Sequence, residues 1–306
     1  MAEAKDSTVE VCYSTDPQSL TIPHPCRLTR KLSWWIHNGN HLLTQSIKHG
    51  VQAPWPEGAG PVLSLKIRHM PDCQLTVAQE LLQDYLCIGA IQVLSVPLHQ
   101  SIPDFLHTQG IRHLVPWFIV SKTEGTKIKH RLITDCREIN KFLHCPHFKM
   151  DHWGQIFPFV RKGMWGCKKK LEDAYFHLPL GRNLRPYLVL QVGNQLYHFL
   201  AAPFGLNVLP YLWTQIMKVP LKIWRKKGLL VFVYLDDILL LAHHPQKLCK
   251  DLQLVLKTLE EAGLQINYKK SVLSPTRQIT HLGFLLNLEK GLLQVPTPKM
   301  VMMKKN

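Results

Sequence analysis

The chain has 306 residues, enough for one large domain or two smaller ones, and its 46% hydrophobic and 19% charged content is that of an ordinary globular protein. Its 37 Lys and Arg against 21 Asp and Glu give a net charge of +16, which favours a polyanionic partner, nucleic acid before anionic membrane; simple solubility is the bland alternative. The longest apolar segment is interrupted by Asp236-Asp237, which excludes a membrane span.

Two further features speak to location. Met1 to Asp6 has no apolar stretch behind it, so no secretory leader is expected. The eight cysteines are scattered without CxxC spacing, which fits reduced thiols in an intracellular protein of nucleus or cytoplasm better than a disulfide framework. His144-Cys145-Pro146-His147 lacks a second pair at zinc spacing and reads as a loop.

Residues 1–25 are polar and Pro-containing and are expected to be poorly ordered. Trp34-Trp35-Ile36, Leu42-Leu43 and Ile47 predict short helices, and Pro54, Pro56, Gly58 and Gly60 mark a linker. Residues 1–60 are therefore expected to form an N-terminal extension. Thr76 to Gln79 has capping-box spacing for an amphipathic helix that buries Leu81, Leu82, Tyr85 and Leu86 and ends at Gly89. Strands follow: Trp117–Val120 and Arg131–Thr134 flank one turn signal, and Tyr187–Val192 and Gln195–Leu200 flank Gly193-Asn194. Leu212, Ile216, Val219 and Ile223 then share a helical face, and Leu248, Leu252, Val255 and Leu259 share another, closed by Gly263. The pattern argues an α+β fold, a sheet with helices on one face.

Leu229–Val233 and Ile238–Ala242 read as buried strands that meet at Tyr234-Leu235-Asp236-Asp237. A hairpin tip is the exit for charges that the core cannot hold. Adjacent carboxylates there can chelate a hard cation such as Mg²⁺, as two-metal phosphoryl transfer requires, or can be a polar turn.

Six segments in order resemble the fingers and palm of retroelement reverse transcriptases, with the nearest resemblance to those of DIRS-type (tyrosine-recombinase) retrotransposons. They are Arg131–Lys141, Asp173–Leu180, Ala202–Leu206, Tyr234–Asp237, Gly263–Asn267 with Lys269-Lys270, and His281–Phe284. The resemblance implies a right-hand polymerase fingers–palm core over residues 61–290, with 291–306 the truncated start of a thumb. It implies RNA-directed DNA synthesis from dNTPs on an RNA or DNA template–primer, with two Mg²⁺ held by Asp236 and Asp237. Arg131 would hold the triphosphate and Tyr175 would lie under the sugar. Phe204 and Gly205 would let backbone approach nucleotide and template, and Lys269 or Lys270 would lie near the leaving pyrophosphate.

One position departs from the family. Where it carries a metal-binding Asp, three residues before Asp173, this chain has Lys170. The expected consequences are an ion pair between Lys170 and Asp236 or Asp237, a metal cluster short of one carboxylate, and little or no DNA synthesis. Glu172, two residues on along a strand, is the nearest substitute. The alternative function is a non-catalytic nucleic-acid-binding or scaffold protein derived from such an element.

Overall fold

A computed structural model describes residues 24–67, 71–124, 127–150 and 152–295. The expectations for residues 1–23 and for the end of the chain from residue 296 lie outside these. Three short helices come first: α1 (His24–Arg30), α2 (Leu32–Asn38) and α3 (His41–His49). Next are α4 (Asp72–Cys87), β1 (Ile91–Leu94), α5 (Ile102–Thr108), the hairpin β2 (Trp117–Glu124) and β3 (Lys127–Thr134), and α6 (Arg137–Asn140). Then follow α7 (Trp153–Ile156), β4 (Trp165–Lys170), β5 (Val189–Val192), β6 (Gln195–Phe199) and α8 (Leu209–Lys226). The last elements are β7 (Leu230–Tyr234), β8 (Asp237–Ala242), α9 (Pro245–Ala262), β9 (Val272–Thr276), β10 (Gln278–His281), β11 (Phe284–Asn287) and β12 (Leu292–Gln294).

The central sheet is antiparallel, in the order β7-β8-β4-β9. Strand alternation sends its side chains to two cores. Val231, Val233, Ile238, Leu240 and Cys167 face α8 and α9 and pack with Trp213, Ile216, Leu252 and Val255. Phe232, Leu239 and Leu241 face the other way, against Ile156, Val160, Met164, Ile279 and Leu286. Cover on both faces is why the two hairpin strands are apolar at every position rather than at alternate ones. The other sheets are β1-β6-β5, β10-β11-β12 and the β2-β3 pair. Helix α9 ends where the glycine predicts: Gly263 is left-handed, with φ +76°.

One sequence expectation needs correction, and the N-terminal segment packs on the rest of the chain. Helix α4 starts at Asp72, so Thr76 lies inside it rather than at its start; extended backbone at Pro71 opens the helix instead. The boundary near residue 60 separates no two cores among the described residues. Leu28, Trp35 and Ile47 are fully buried in the same core as α8 and α9. Trp35 Nε1 donates to Ala262 O at 2.9 Å, and Asn183 Nδ2 donates to Ala53 O and Trp55 O at 3.1 and 2.6 Å. The Pro- and Gly-marked segment is a strap bound to the palm. No helix among the described residues is long and apolar enough to cross a membrane.

Strand β4 carries three successive lysines, and the middle one must face the helices. Lys169 is fully buried there, and its Nζ donates to Val272 O at 2.7 Å. Burial pushes its pKa from 10.5 down to about 8. The folded form thus binds its proton less readily than the unfolded chain, and stability rises with pH between about 8 and 10.5. Lys169→Met should stabilise the protein at neutral pH by on the order of 2–3 kcal/mol, with the gain shrinking as pH climbs through that window. Urea unfolding midpoints at neutral and alkaline pH check this; a gain independent of pH would show that the ammonium is not the cost.

Candidate functional site

The β7–β8 hairpin pairs Tyr234 with Asp237 and turns on only two residues, Leu235 and Asp236. Leu235 has φ +51°, a left-handed value costly for a branched side chain. Two bonds from buried neighbours hold the strained tip: Trp213 Nε1 donates to Leu235 O at 3.0 Å, and Leu171 N donates to Asp236 O at 2.8 Å.

The adjoining strand brings cations to these carboxylates. Lys170 lies directly across from Asp237 in the β4–β8 register, and Lys168 is on the same face. Lys170 Nζ is 2.6 Å from Asp236 Oδ2 and 3.5 Å from Asp237 Oδ1; Lys168 Nζ is 3.3 Å from Asp237 Oδ1. The ion pair expected from the register is thus present. Burial pulls the Lys170 pKa down, but bonding and attraction to Asp236 and then Asp237 outweigh it, and the net shift is upward. Asp237 Oδ1 is buried at ion-pair distance from both ammonium groups, yet neither approach has hydrogen-bond geometry.

The substitute ligand is not at the cluster. Regular pairing of β4 with β8 ends at Lys170, and Glu172 turns to Asn267, whose Nδ2 donates to Glu172 Oε1 at 3.1 Å. Its carboxyl sits among Asp173, Lys270, Lys269 and Arg27. Asp173 does face the cleft, from a left-handed residue with φ +37°. Its side chain keeps an exposed edge, but surrounding protein raises its pKa more than Lys270 and Lys129 lower it. Among the described residues no three His, Cys, Asp or Glu side chains gather as a metal-ligand set. Two ammonium groups already neutralise Asp236 and Asp237. This donor set does not fit a pair of Mg²⁺ ions.

The remaining predicted residues surround this point. Tyr175 is buried, with its ring 4.9 Å from Phe204 and 6.2 Å from Trp213. Burial, then the charge of Asp236, raises its hydroxyl to about 12. Phe204 is 44% exposed. Gly205 has φ +116°, and a Cβ there would come 2.8 Å from Thr134 O. Arg131 is exposed on β3, and its charge acts on Lys270 together with those of Lys129 and Lys170. Burial first, then these three cations, lower the Lys270 pKa. Lys270, rather than Lys269, is thus the lysine that joins Arg131 and Lys170.

Three further contributors carry no role in the sequence reading, although Asn140 and His281 fall within its Arg131–Lys141 and His281–Phe284 segments. Lys129 shares a face of β3 with Arg131 by simple period two, a signal that was available. Asn140 organises the Phe204–Gly205 turn: its Nδ2 donates to Gly205 O at 2.8 Å, and its Oδ1 accepts from Asn207 N at 3.0 Å. His281 is fully buried with neither ring nitrogen hydrogen-bonded, beside Lys168 and Asp237, and burial drives its pKa down to about 4.

Residues 120–286, more than half of the chain, match the family described as reverse transcriptase (RNA-dependent DNA polymerase), and the chain belongs to that family. It is 28% identical over 176 residues to Protein P of duck hepatitis B virus (strain China), covering 56% of this chain and 22% of that protein. It is 25% identical over 167 residues to the genome polyprotein of Petunia vein clearing virus, covering 55% of this chain and 8% of the polyprotein. The chain thus spans about a fifth or less of the length of these curated relatives. A foamy viral protease–reverse transcriptase solved in complex with double-stranded DNA superposes with a TM-score of 0.65 at 18% identity, covering 96% of this chain and 51% of that one. Another, in complex with an RNA/DNA hybrid, gives 0.64 at 17%, covering 95% and 39%. At such identities the likeness is one of fold, and the fold is the α+β polymerase architecture.

The turn at Gly205 gives a direct check on this geometry. Gly205→Ala should cost on the order of 2 kcal/mol or more, since a Cβ meets both an unfavourable φ and the Thr134 carbonyl. Chemical denaturation measures it; a neutral substitution would mean that the turn is looser than described.

Proposed function

We propose that this chain is the fingers–palm part of a retroelement reverse transcriptase that binds template–primer but makes little or no DNA as it stands. The observation that carries the reading is the 2.6 Å ion pair of Lys170 with Asp236, set in a fold whose family performs RNA-directed DNA synthesis. In that reaction a primer 3′-hydroxyl attacks the α-phosphorus of a dNTP and pyrophosphate leaves. Its charge must be neutralised at the attacking and leaving oxygens. Here the groups suited to that place are engaged with each other.

The rest of the cleft retains what substrate binding asks for. Arg131, Lys129 and Lys270 are a cationic group for a triphosphate, a guanidinium being suited to phosphate; Lys269 stands beside them at Glu172. Tyr175 and Phe204 form an aromatic floor for sugar and base. The origin in a retrotransposon, and the DIRS-type subclass, rest on the motif resemblance. The solved relatives that hold double-stranded DNA and RNA/DNA hybrid support a template–primer as partner. The same ion pair favours a second reading, a non-catalytic nucleic-acid-binding or scaffold protein kept from such an element. The two differ in whether a restored carboxylate recovers chemistry.

Primer extension with the purified chain should be slower by a hundredfold or more, on the order of the loss expected for one essential electrostatic group. Lys170→Asp should bind Mn²⁺ about tenfold more tightly than the parent, and Asp236→Asn in that background should remove the gain. Metal affinity unchanged by Lys170→Asp would overturn the assignment of this position. Robust extension by the unmodified chain would overturn the impairment.

Nucleic-acid binding should persist without catalysis. With a net charge of +16, affinity for a primer–template should fall roughly a thousandfold between about 50 and about 200 mM salt, with little sequence dependence. Fluorescence anisotropy tests this, and a flat salt response would remove the electrostatic argument.

A further inference from the structure

A cavity of about 1140 Å³ lies between α1, α3, the strap and the chain that follows Pro179. It shares no lining residue with the carboxylate cluster. Among the described lining residues four permanent cations, Arg30, Lys48, Arg182 and Arg185, stand with His49 against a single carboxylate, Glu57. Among the described residues no carboxylate comes within ion-pair distance of these four. Arg30, Lys48 and Arg182 are exposed into solvent, so the charge is available to a ligand.

The walls show how the charge is kept in place. Arg185 Nε donates to Leu180 O at 3.0 Å, which fixes the guanidinium plane at the floor. Burial and then neighbouring Arg182 lower its pKa, and Glu57 only partly compensates. Cations crowded this way repel one another, and a folded protein holds them together at a cost that an anion relieves. No Phe, Tyr or Trp stands among the described lining residues, so the cavity has no platform on which a base could stack. The amides of Gln52 and Gln92 add neutral donors at its rim. The chemistry recognised is therefore that of phosphate and not of base.

We infer that this cavity is a second anion site, which takes closely spaced phosphate groups, either those along a single-stranded nucleic acid or those of a free polyphosphate. The inference rests on the cavity alone and stands whether or not the chain polymerises DNA.

Calorimetric titration of the whole chain with inorganic tripolyphosphate at low salt tests it. The parent should bind, and Arg182→Glu with Lys48→Glu should weaken binding about tenfold or more, since two attractive charges become repulsive. Lys226→Glu with Lys227→Glu, exposed at the end of α8 and outside both the cavity and the cleft, should leave that affinity within about twofold. Far-UV circular dichroism confirms folding, and Glu57→Gln, which only removes the opposing charge, should tighten binding about twofold. Competition with short oligothymidylate separates the sources: displacement points to a strand, and tripolyphosphate binding without displacement points to a free polyphosphate. Parent-like affinity in the Arg182→Glu, Lys48→Glu protein overturns the site. So does an equal loss in the Lys226→Glu, Lys227→Glu protein, or no gain with Glu57→Gln.

Discussion

Two carboxylates on successive residues of a two-residue turn repel each other, and the strands that carry them are apolar on both faces, so the charges have no exit except the tip. Whatever neutralises Asp236 and Asp237 governs the whole palm. In this chain the neutralising groups are Lys170 and Lys168, on the adjoining strand at 2.6 and 3.3 Å. A dication in that place is exchangeable and takes substrate oxygens as further ligands. An ammonium is tethered by its own backbone and takes none. The ion pairs close the carboxylates on the chain's own ammonium groups, while the sheet, the left-handed Leu235 and the bond from Trp213 hold the hairpin tip in place.

The regular elements were legible because their signals are local. Changes from period two to period three and four, the Gly193-Asn194 turn, and Gly263 at the end of α9 all act within a few residues. The Asp-Asp junction was legible as a hairpin tip for the same reason. What failed depended on distant partners. Thr76 has correct capping spacing, but Pro71 opens the helix one turn earlier. Glu172 should share a face with Lys170 if the strand continues, and the strand stops because Leu171 and Glu172 pair with Ile266 and Gln265. The choice between Lys269 and Lys270 is a choice of rotation in a short turn, which no period determines. Pro and Gly near residue 60 mark irregular backbone whether or not that backbone is docked, so they do not tell a free linker from a strap.

The charge excess says more once it is placed. One group of cations surrounds the carboxylates, and another lines a cavity where Glu57 is the one carboxylate among the described residues. The stretch from Asp173 to Arg185 joins them. It leaves the cleft at Tyr175, passes Pro179 and Leu180, which border the cavity, and supplies Arg182 and Arg185 to it.

The three lysines of β4 show why composition alone misleads. A run of Lys168-Lys169-Lys170 reads as a solvated face, yet pleating assigns each side chain a different environment. Lys170 is held charged between two carboxylates, and its pKa rises. Lys168 reaches one carboxylate and a backbone carbonyl on the same face. Lys169 is driven among the helices, meets only Val272 O, and loses affinity for its proton. A lysine at position 170 meets opposite charge from the hairpin. A lysine one residue earlier is buried, with a backbone carbonyl and no carboxylate in ion-pair reach among the described residues. The strand period, and not the number of lysines, decides which of them opposes the carboxylate pair and which burdens the core.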